Sequence, residues 1–165
     1  MIDLQTILSM VPAIGVIVAL VYYSLTLRYT SKARQRELIF LRFQGYSVEL
    51  QRAYADVTTY DDWEDVEDWD RKYGRRTNPE AFSKYLYIMS INNLAGLLLK
   101  EKEADPDLIF QLYPAASVIR IWEQFEPIVR NMREKRKYPA LYEPFEFLYN
   151  EAKKRYPEIR AHEVR

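Results

Sequence analysis

The sequence predicts an all-α protein in which one N-terminal transmembrane helix is followed by a small cytoplasmic helical bundle. Three observations lead to this prediction. Residues 7–27 carry no charged side chain. Later apolar residues recur three and four positions apart, as on one face of a helix. No stretch alternates apolar and polar residues as a half-buried strand does. The length of 165 residues is enough for one compact domain.

The first predicted element is the transmembrane helix at residues 7–27. Its 21 residues would rise roughly 30 Å, the thickness of the hydrocarbon core of a bilayer. A cleaved signal peptide is an alternative, but no basic residue precedes the run and no A-x-A-like site follows it. A buried core helix is a second alternative. Small residues four apart, Ser9 with Ala13 and Gly15 with Ala19, would let another helix approach closely.

The residues on either side of this run predict its orientation. Only the acid Asp3 precedes it, whereas four basic residues follow it within ten positions. The positive-inside rule then places the N-terminus outside and the C-terminal domain in the cytoplasm of a single-pass protein of the inner, cytoplasmic membrane. Tyrosine rings and basic side chains favour the interface with water. The predicted membrane-interface residues are Tyr22, Tyr23, Arg28, Tyr29, Lys32, Arg34 and Arg36.

Four segments are expected along the chain. Residues 1–30 are the transmembrane anchor, 31–46 a juxtamembrane helix or connector, 47–157 the helical domain, and 158–165 a flexible tail. Ser47 is the expected N-cap of the first helix of the domain, which runs to about residue 58.

Proline after a capping residue marks two further helix starts. Asn78 precedes Pro79, and Asp105 precedes Pro106. The helix from Pro79 contains an uncharged run, residues 85–99, which is roughly 22 Å long as a helix. That is short for a second membrane span, and the run includes Asn92 and another two polar residues. A central, mostly buried core helix is therefore expected.

The last two helices have clear apolar faces. The first of them starts after Pro114 and has apolar residues at alternating steps of four and three. The second ends at Tyr156-Pro157. Their apolar residues are Val118, Trp122, Phe125, Val129 and Met132 in the first, and Tyr142, Phe145, Leu148 and Tyr149 in the second.

The stretch "DDWEDVEDWDRKYGRR", residues 61–76, holds the densest cluster of acids. A calcium loop needs a glycine at its sixth position, which is missing here. As a helix capped by Asp61 or Asp62, the stretch has an apolar arc of about 120° formed by Trp63, Val66, Trp69 and Tyr73. An amphipathic helix is therefore predicted. Asp70 lies at the edge of that arc and is expected to pair with a base inside the domain.

Composition excludes several classes of function. Twenty-four acids balance twenty-four bases, so no nucleic acid is expected as a partner. There is no cysteine and only one histidine, His162, which leaves too few ligands for a thiolate or histidine metal site. No glycine-rich phosphate loop is present. We expect no cofactor and no metal.

The segment from Ile119 to Pro157, preceded by "DDWEDVEDWDRKYG", resembles a family of single-pass prokaryotic membrane proteins catalogued as a domain of unknown function (family 4760). The resemblance extends from the anchor to Pro157. It implies an N-terminal anchor and a helical domain, and no activity. The residues that carry it are Arg120, Trp122, Glu123, Glu126, Pro127, Tyr142, Phe145, Leu148, Tyr156 and Pro157.

The predicted function is a non-enzymatic, membrane-anchored interaction module, an accessory or scaffold subunit of a membrane complex. Its expected partners are the lipid bilayer and other membrane-protein subunits, or further copies of itself. Fourteen Tyr, seven Phe and three Trp exceed what a small core needs, and aromatic rings are favoured at interfaces. The alternative is an enzyme or sensor with a carboxylate and arginine pocket around the Trp122 helix. The candidate polar cluster for either function is Asp70, Arg120, Trp122, Glu123 and Glu126.

Overall fold

A computed structural model describes residues 15–27, 29–30 and 47–159. These residues form seven α-helices, and no strand occurs among them. The prediction of an all-α protein is confirmed for this part of the chain. The chain divides into two compact units, Met1–Arg42 and Phe43–Arg165.

In the first unit the structure describes helix α1 at residues 15–27, and residues 29–30 are also helical. Residues 7–14 of the predicted span lie outside the described residues. No helix in the described ranges is both long enough and apolar enough to cross a membrane. The prediction of an N-terminal transmembrane helix is therefore wrong, and so is the single-pass location in the inner membrane with a cytoplasmic bundle.

The side chains of α1 are exposed along its whole described length. Thr26 Oγ1 donates a hydrogen bond to the carbonyl oxygen of Tyr22 at 2.8 Å, one turn earlier. Of the predicted interface residues, Tyr22, Tyr23 and Tyr29 are exposed. The basic members of that set, Arg28, Lys32, Arg34 and Arg36, lie outside the described residues.

The second unit contains six helices. They are α2 (Val48–Val57), α3 (Val66–Tyr73), α4 (Pro79–Lys100), α5 (Pro106–Leu112), α6 (Ala115–Arg136) and α7 (Glu143–Arg155). Three predicted caps are confirmed, because each side chain accepts a hydrogen bond from a backbone N–H of the first helical turn. Ser47 accepts from Leu50 at 3.1 Å, Asn78 from Ala81 at 3.1 Å, and Asp105 from Asp107 at 2.8 Å.

Helix α4 lies at the centre of this unit and packs against α2 and α7, and α6 also packs against α7. The uncharged run of α4 supplies buried side chains, as expected for a core helix. Aromatic rings form much of the core. Tyr85 of α4 makes edge-to-face contacts with Trp69 and with Phe125, each at 5.0 Å between ring centroids. Such contacts add to the stabilisation from burial alone.

Helices α4 and α7 approach each other closely at Gly96. A Cβ atom on residue 96 would overlap the carbonyl oxygen of Pro144, at the start of α7. Nearby, Asn93 Oδ1 accepts a hydrogen bond from the backbone N–H of Phe145 at 3.3 Å. Asn93 therefore satisfies one of the free N–H groups at the N-terminus of α7.

Candidate functional site

The polar residues predicted on the Trp122 helix bind three different parts of the bundle. Arg120 Nη2 donates to the carbonyl oxygen of Thr58, at the end of α2, at 3.1 Å. Glu123 Oε1 accepts from Tyr149 Oη at 3.1 Å and from Lys153 Nζ at 3.3 Å, both on α7. Glu126 pairs with Arg130, one turn further along α6, at 2.6 Å. The two carboxylates and the guanidinium are therefore held by separate partners.

Trp122 is a core residue. Its side chain is 2% exposed. It makes an edge-to-face contact with Phe145 at 5.0 Å between centroids and stacks against Tyr149 at 5.9 Å. These contacts join α6 to α7. Trp122 thus contributes to packing and offers no surface to a partner.

The structure does not place Asp70 at the edge of a buried face, where it was expected to pair with a base inside the domain. Asp70 is exposed, whereas Asp68 is 8% exposed. The physical reason is the start of the helix, which begins at Val66 with Asp65 as N-cap, and not at Asp61 or Asp62. Trp63 lies before the helix, where its Nε1 donates to the carbonyl oxygen of Tyr60 at 2.8 Å.

Asp68 is held by a local set of hydrogen bonds. Its backbone N–H donates to Asp65 Oδ1 at 2.8 Å, and its own Oδ2 accepts from the backbone N–H of Glu64 at 3.2 Å. This reciprocal arrangement is similar to a capping box, and the acids three positions apart are its signal in the sequence. The hydrogen bond from Arg71, helped by Lys72, lowers the pKa of Asp68 below its ordinary value. Among the described residues, no group of three or more acids or histidines is placed to hold a metal ion.

Seven of the twenty-four aromatic residues are buried in the core. The largest fully buried side chains include Trp69, Tyr85, Phe125 and Phe145. In the second unit, Val48 and Tyr138 are the most exposed of the large hydrophobic side chains, at 55% and 54%. The number of aromatic residues therefore does not by itself indicate an interaction surface.

An apolar groove lies between α2, α4 and the junction of α5 with α6, and its volume is about 280 Å³. None of its lining side chains is charged. The lining residues are Leu50, Gln51 and Tyr54 of α2, Ile88, Ile91 and Asn92 of α4, and Leu112, Tyr113, Pro114, Ser117 and Val118 of the junction and α6. No sequence pattern predicted this groove, because it depends on how four separate segments are arranged.

Asn92 is the buried polar residue of the groove, with 6% of its surface exposed. Its Nδ2 donates to the carbonyl oxygen of Ile88, one turn earlier, at 2.8 Å. Because only the nitrogen of the amide donates, this bond fixes which way the amide faces. In residues 15–27, 29–30 and 47–159, no group donates a hydrogen bond to Oδ1 of Asn92.

Comparison with known proteins gives one match. A family model described as a domain of unknown function (DUF4760) matches residues 9–152. No curated protein matches the chain. No solved structure matches it either.

Proposed function

Since the chain belongs to the DUF4760 family, whose description assigns no activity, we propose from its geometry that it is a non-enzymatic helical interaction module. In this proposal it serves as a scaffold or accessory subunit and associates through α1. The proposal includes the prokaryotic origin that the resemblance implies. The observation that carries it is the exposure of apolar side chains all around α1.

The exposed side chains of α1 are of kinds that are usually buried. The aliphatic residues between Val16 and Leu27 have from 48% to 63% of their surface exposed. The exposed fraction is still larger for Tyr22 and Tyr29, at 72% and 75%. A helix that is apolar on all sides is normally covered by other elements, and large exposed apolar patches mark interaction sites. Association with another protein would remove this surface from water.

The best candidate for the partner is a second copy of the same helix. Gly15 and Ala19 are four residues apart and lie on one face of α1. A Cβ atom on Gly15 would have no atom within 4 Å. Small residues at this spacing let two helix backbones approach closely. Two copies would offer each other the same face, which is the arrangement of a symmetric dimer.

Single cysteines test this proposal cleanly, because the chain has none of its own. Ala19→Cys places a thiol about 40° from Gly15 around the helix, and Ser24→Cys places one about 180° away. With the full chain in detergent-free buffer under oxidising conditions, we expect a disulfide-linked dimer from Ala19→Cys and much less from Ser24→Cys. Equal cross-linking of both variants would contradict association through the small-residue face.

Mass measurement of the unmodified chain tests the wider proposal. We expect assemblies that are multiples of the 19.8 kDa chain. A fixed ratio of this chain to a different co-purifying subunit would support the role of accessory subunit and overturn self-association. A pure monomer without any co-purifying protein would contradict both.

A further inference from the structure

We propose that the groove between α2, α4 and the start of α6 binds a small, neutral, mostly apolar ligand that donates one hydrogen bond to Oδ1 of Asn92. The ligand has about the size of a two-ring aromatic molecule. All of its lining residues belong to the second unit.

The volume and the shape of the groove set the size of the ligand. An apolar cavity of about 150 Å³ holds a single benzene ring. The groove has about 280 Å³, which is close to the lower limit of small-molecule sites. The rings of Tyr54 and Tyr113 are part of its lining, and flat aromatic ligands pack well against such rings. A fused two-ring molecule therefore fits better than a larger one.

The lining also sets the charge of the ligand. No acid or base lines the groove, and an unpaired charge is costly to bury away from water. A neutral ligand is therefore favoured. The groove is reached from solvent, because Gln51 is exposed and Ile91 and Ser117 are half-buried.

Asn92 sets the polarity of the ligand. One N–H of its Nδ2 donates to the carbonyl oxygen of Ile88 at 2.8 Å, whereas its Oδ1 accepts no hydrogen bond from the described residues. A ligand that fills the groove keeps water away from Oδ1, so a ligand with an N–H or O–H group is favoured because it replaces the hydrogen bond from water. An otherwise identical ligand without that group would leave Oδ1 unpaired and should bind less tightly.

The test compares indole with benzofuran, which has nearly the same shape but an oxygen in place of the N–H. Titration calorimetry on the full chain should show saturable binding of indole, and affinity for benzofuran lower by about fivefold to tenfold. In Asn92→Leu the two ligands should bind alike. Absence of saturable indole binding would overturn the proposal, and equal affinities in the unsubstituted chain would overturn the role of Asn92.

A matched pair of variants tests the location. Ser117→Phe places a bulky ring in the groove, and Ser90→Phe places the same ring on the exposed side of α4. We expect Ser117→Phe to abolish indole binding and Ser90→Phe to retain it. If Ser117→Phe does not fold, contacts seen by NMR between indole protons and the methyl groups of Ile88 and Val118 in the unsubstituted chain locate the site. Indole contacts elsewhere would contradict it.

Discussion

Gly96 lies so close to the backbone of Pro144 that a Cβ atom on residue 96 would overlap the carbonyl oxygen of Pro144. The contact sets the distance between α4 and α7. Both partners are on helices, so neither backbone moves away without disturbing the core around it. Glycine is thus required here for space and not for an unusual backbone angle.

We expect Gly96→Ala to lower the free energy of unfolding by about 2–4 kcal/mol, because the added methyl forces the two helices apart. Urea denaturation followed by tryptophan fluorescence measures this, since all three tryptophans lie in the second unit. Ser90→Ala is the control, because Ser90 lies on the exposed side of the same helix. Equal urea midpoints for Gly96→Ala and the unsubstituted chain would show that α7 can move away from residue 96 without loss of stability.

The hydroxyl group of Tyr85 is fully buried. No described residue accepts a hydrogen bond from it or donates one to it. Tyr85→Phe removes this group while keeping the ring and its contacts. We expect the variant to be as stable as the unsubstituted chain or more stable by up to about 1 kcal/mol, because an unsatisfied buried hydroxyl is unfavourable. Thermal and urea unfolding give the value.

Tyr149→Phe is the comparison for Tyr85→Phe. The hydroxyl group of Tyr149 donates to Glu123 at 3.1 Å, so its removal should cost about 1 kcal/mol. If Tyr85→Phe costs as much as Tyr149→Phe, the hydroxyl group of Tyr85 has a stabilising partner after all.

The stability of the bundle should fall at alkaline pH. Burial, together with the hydrogen bond to Glu123, raises the pKa of Tyr149 to about 12. Burial and the hydrogen bond to Asp62 raise the pKa of Tyr73 to about 12 as well. The folded state therefore holds these protons more tightly than the unfolded state, whose tyrosines titrate near pH 10. Their stabilisation is complete below about pH 10 and is lost as the pH rises toward 12.

Urea midpoints measured from pH 8 to pH 12 test this dependence. Glu123→Gln removes the negative acceptor beside Tyr149, so the tyrosine should ionise at lower pH and give an earlier rise in tyrosinate absorbance. Double replacement of Tyr73 and Tyr149 by Phe should flatten the loss of stability. An unchanged slope in the double variant would mean that other groups control the alkaline transition.

Arg133 connects the end of α6 to both the following loop and α7. Its Nε donates to the carbonyl oxygen of Leu141 at 2.9 Å, and its Nη2 pairs with Glu146 at 2.7 Å. A lysine has a single ammonium group and cannot reproduce both bonds in the same geometry. We expect Arg133→Lys to lower the free energy of unfolding by about 1–2 kcal/mol.

The control for Arg133→Lys is Arg130→Lys. Arg130 pairs with Glu126, but its side chain is 70% exposed, and exposed pairs contribute little. A change within about 0.5 kcal/mol is expected there. Similar losses for the two variants would show that the position of Arg133 between the loop and α7 has no special importance.

Local signals in the sequence predicted the local structure correctly. Ser47, Asn78 and Asp105 cap helices as predicted, because a cap depends on residues within one turn of it. The predicted start of α3 was wrong. Trp63 is held outside the helix by its hydrogen bond to the carbonyl oxygen of Tyr60, and Asp65 is the N-cap. The run of apolar residues at 7–27 was predicted to cross a membrane, whereas no helix in the described ranges is long and apolar enough to do so.

The candidate polar cluster depended on information that helical spacing lacks. Periodicity places Arg120, Glu123 and Glu126 on neighbouring positions of α6. It does not say which helix faces each of them, and the structure gives them partners on α2, α7 and α6 itself. The unpaired Oδ1 of Asn92 could not be predicted from the sequence either, because buried amide groups usually have hydrogen-bond partners.

The hydrogen bonds between helices differ greatly in the length of chain that they close. Those from α6 to α7 join residues 13 to 30 positions apart, at Arg133 with Glu146 and at Tyr149 and Lys153 with Glu123. The hydrogen bonds from α6 to α2 and to the loop after α2 join residues 62 to 67 positions apart. They are those of Arg120 with Thr58 and of Gln124 with Val57 and Tyr60. Longer loops cost more entropy to close, so native contacts between distant segments form more slowly. During folding the hairpin of α6 and α7 should form first and α2 should dock late, which makes the groove wall supplied by α2 one of the last surfaces of the protein to be completed.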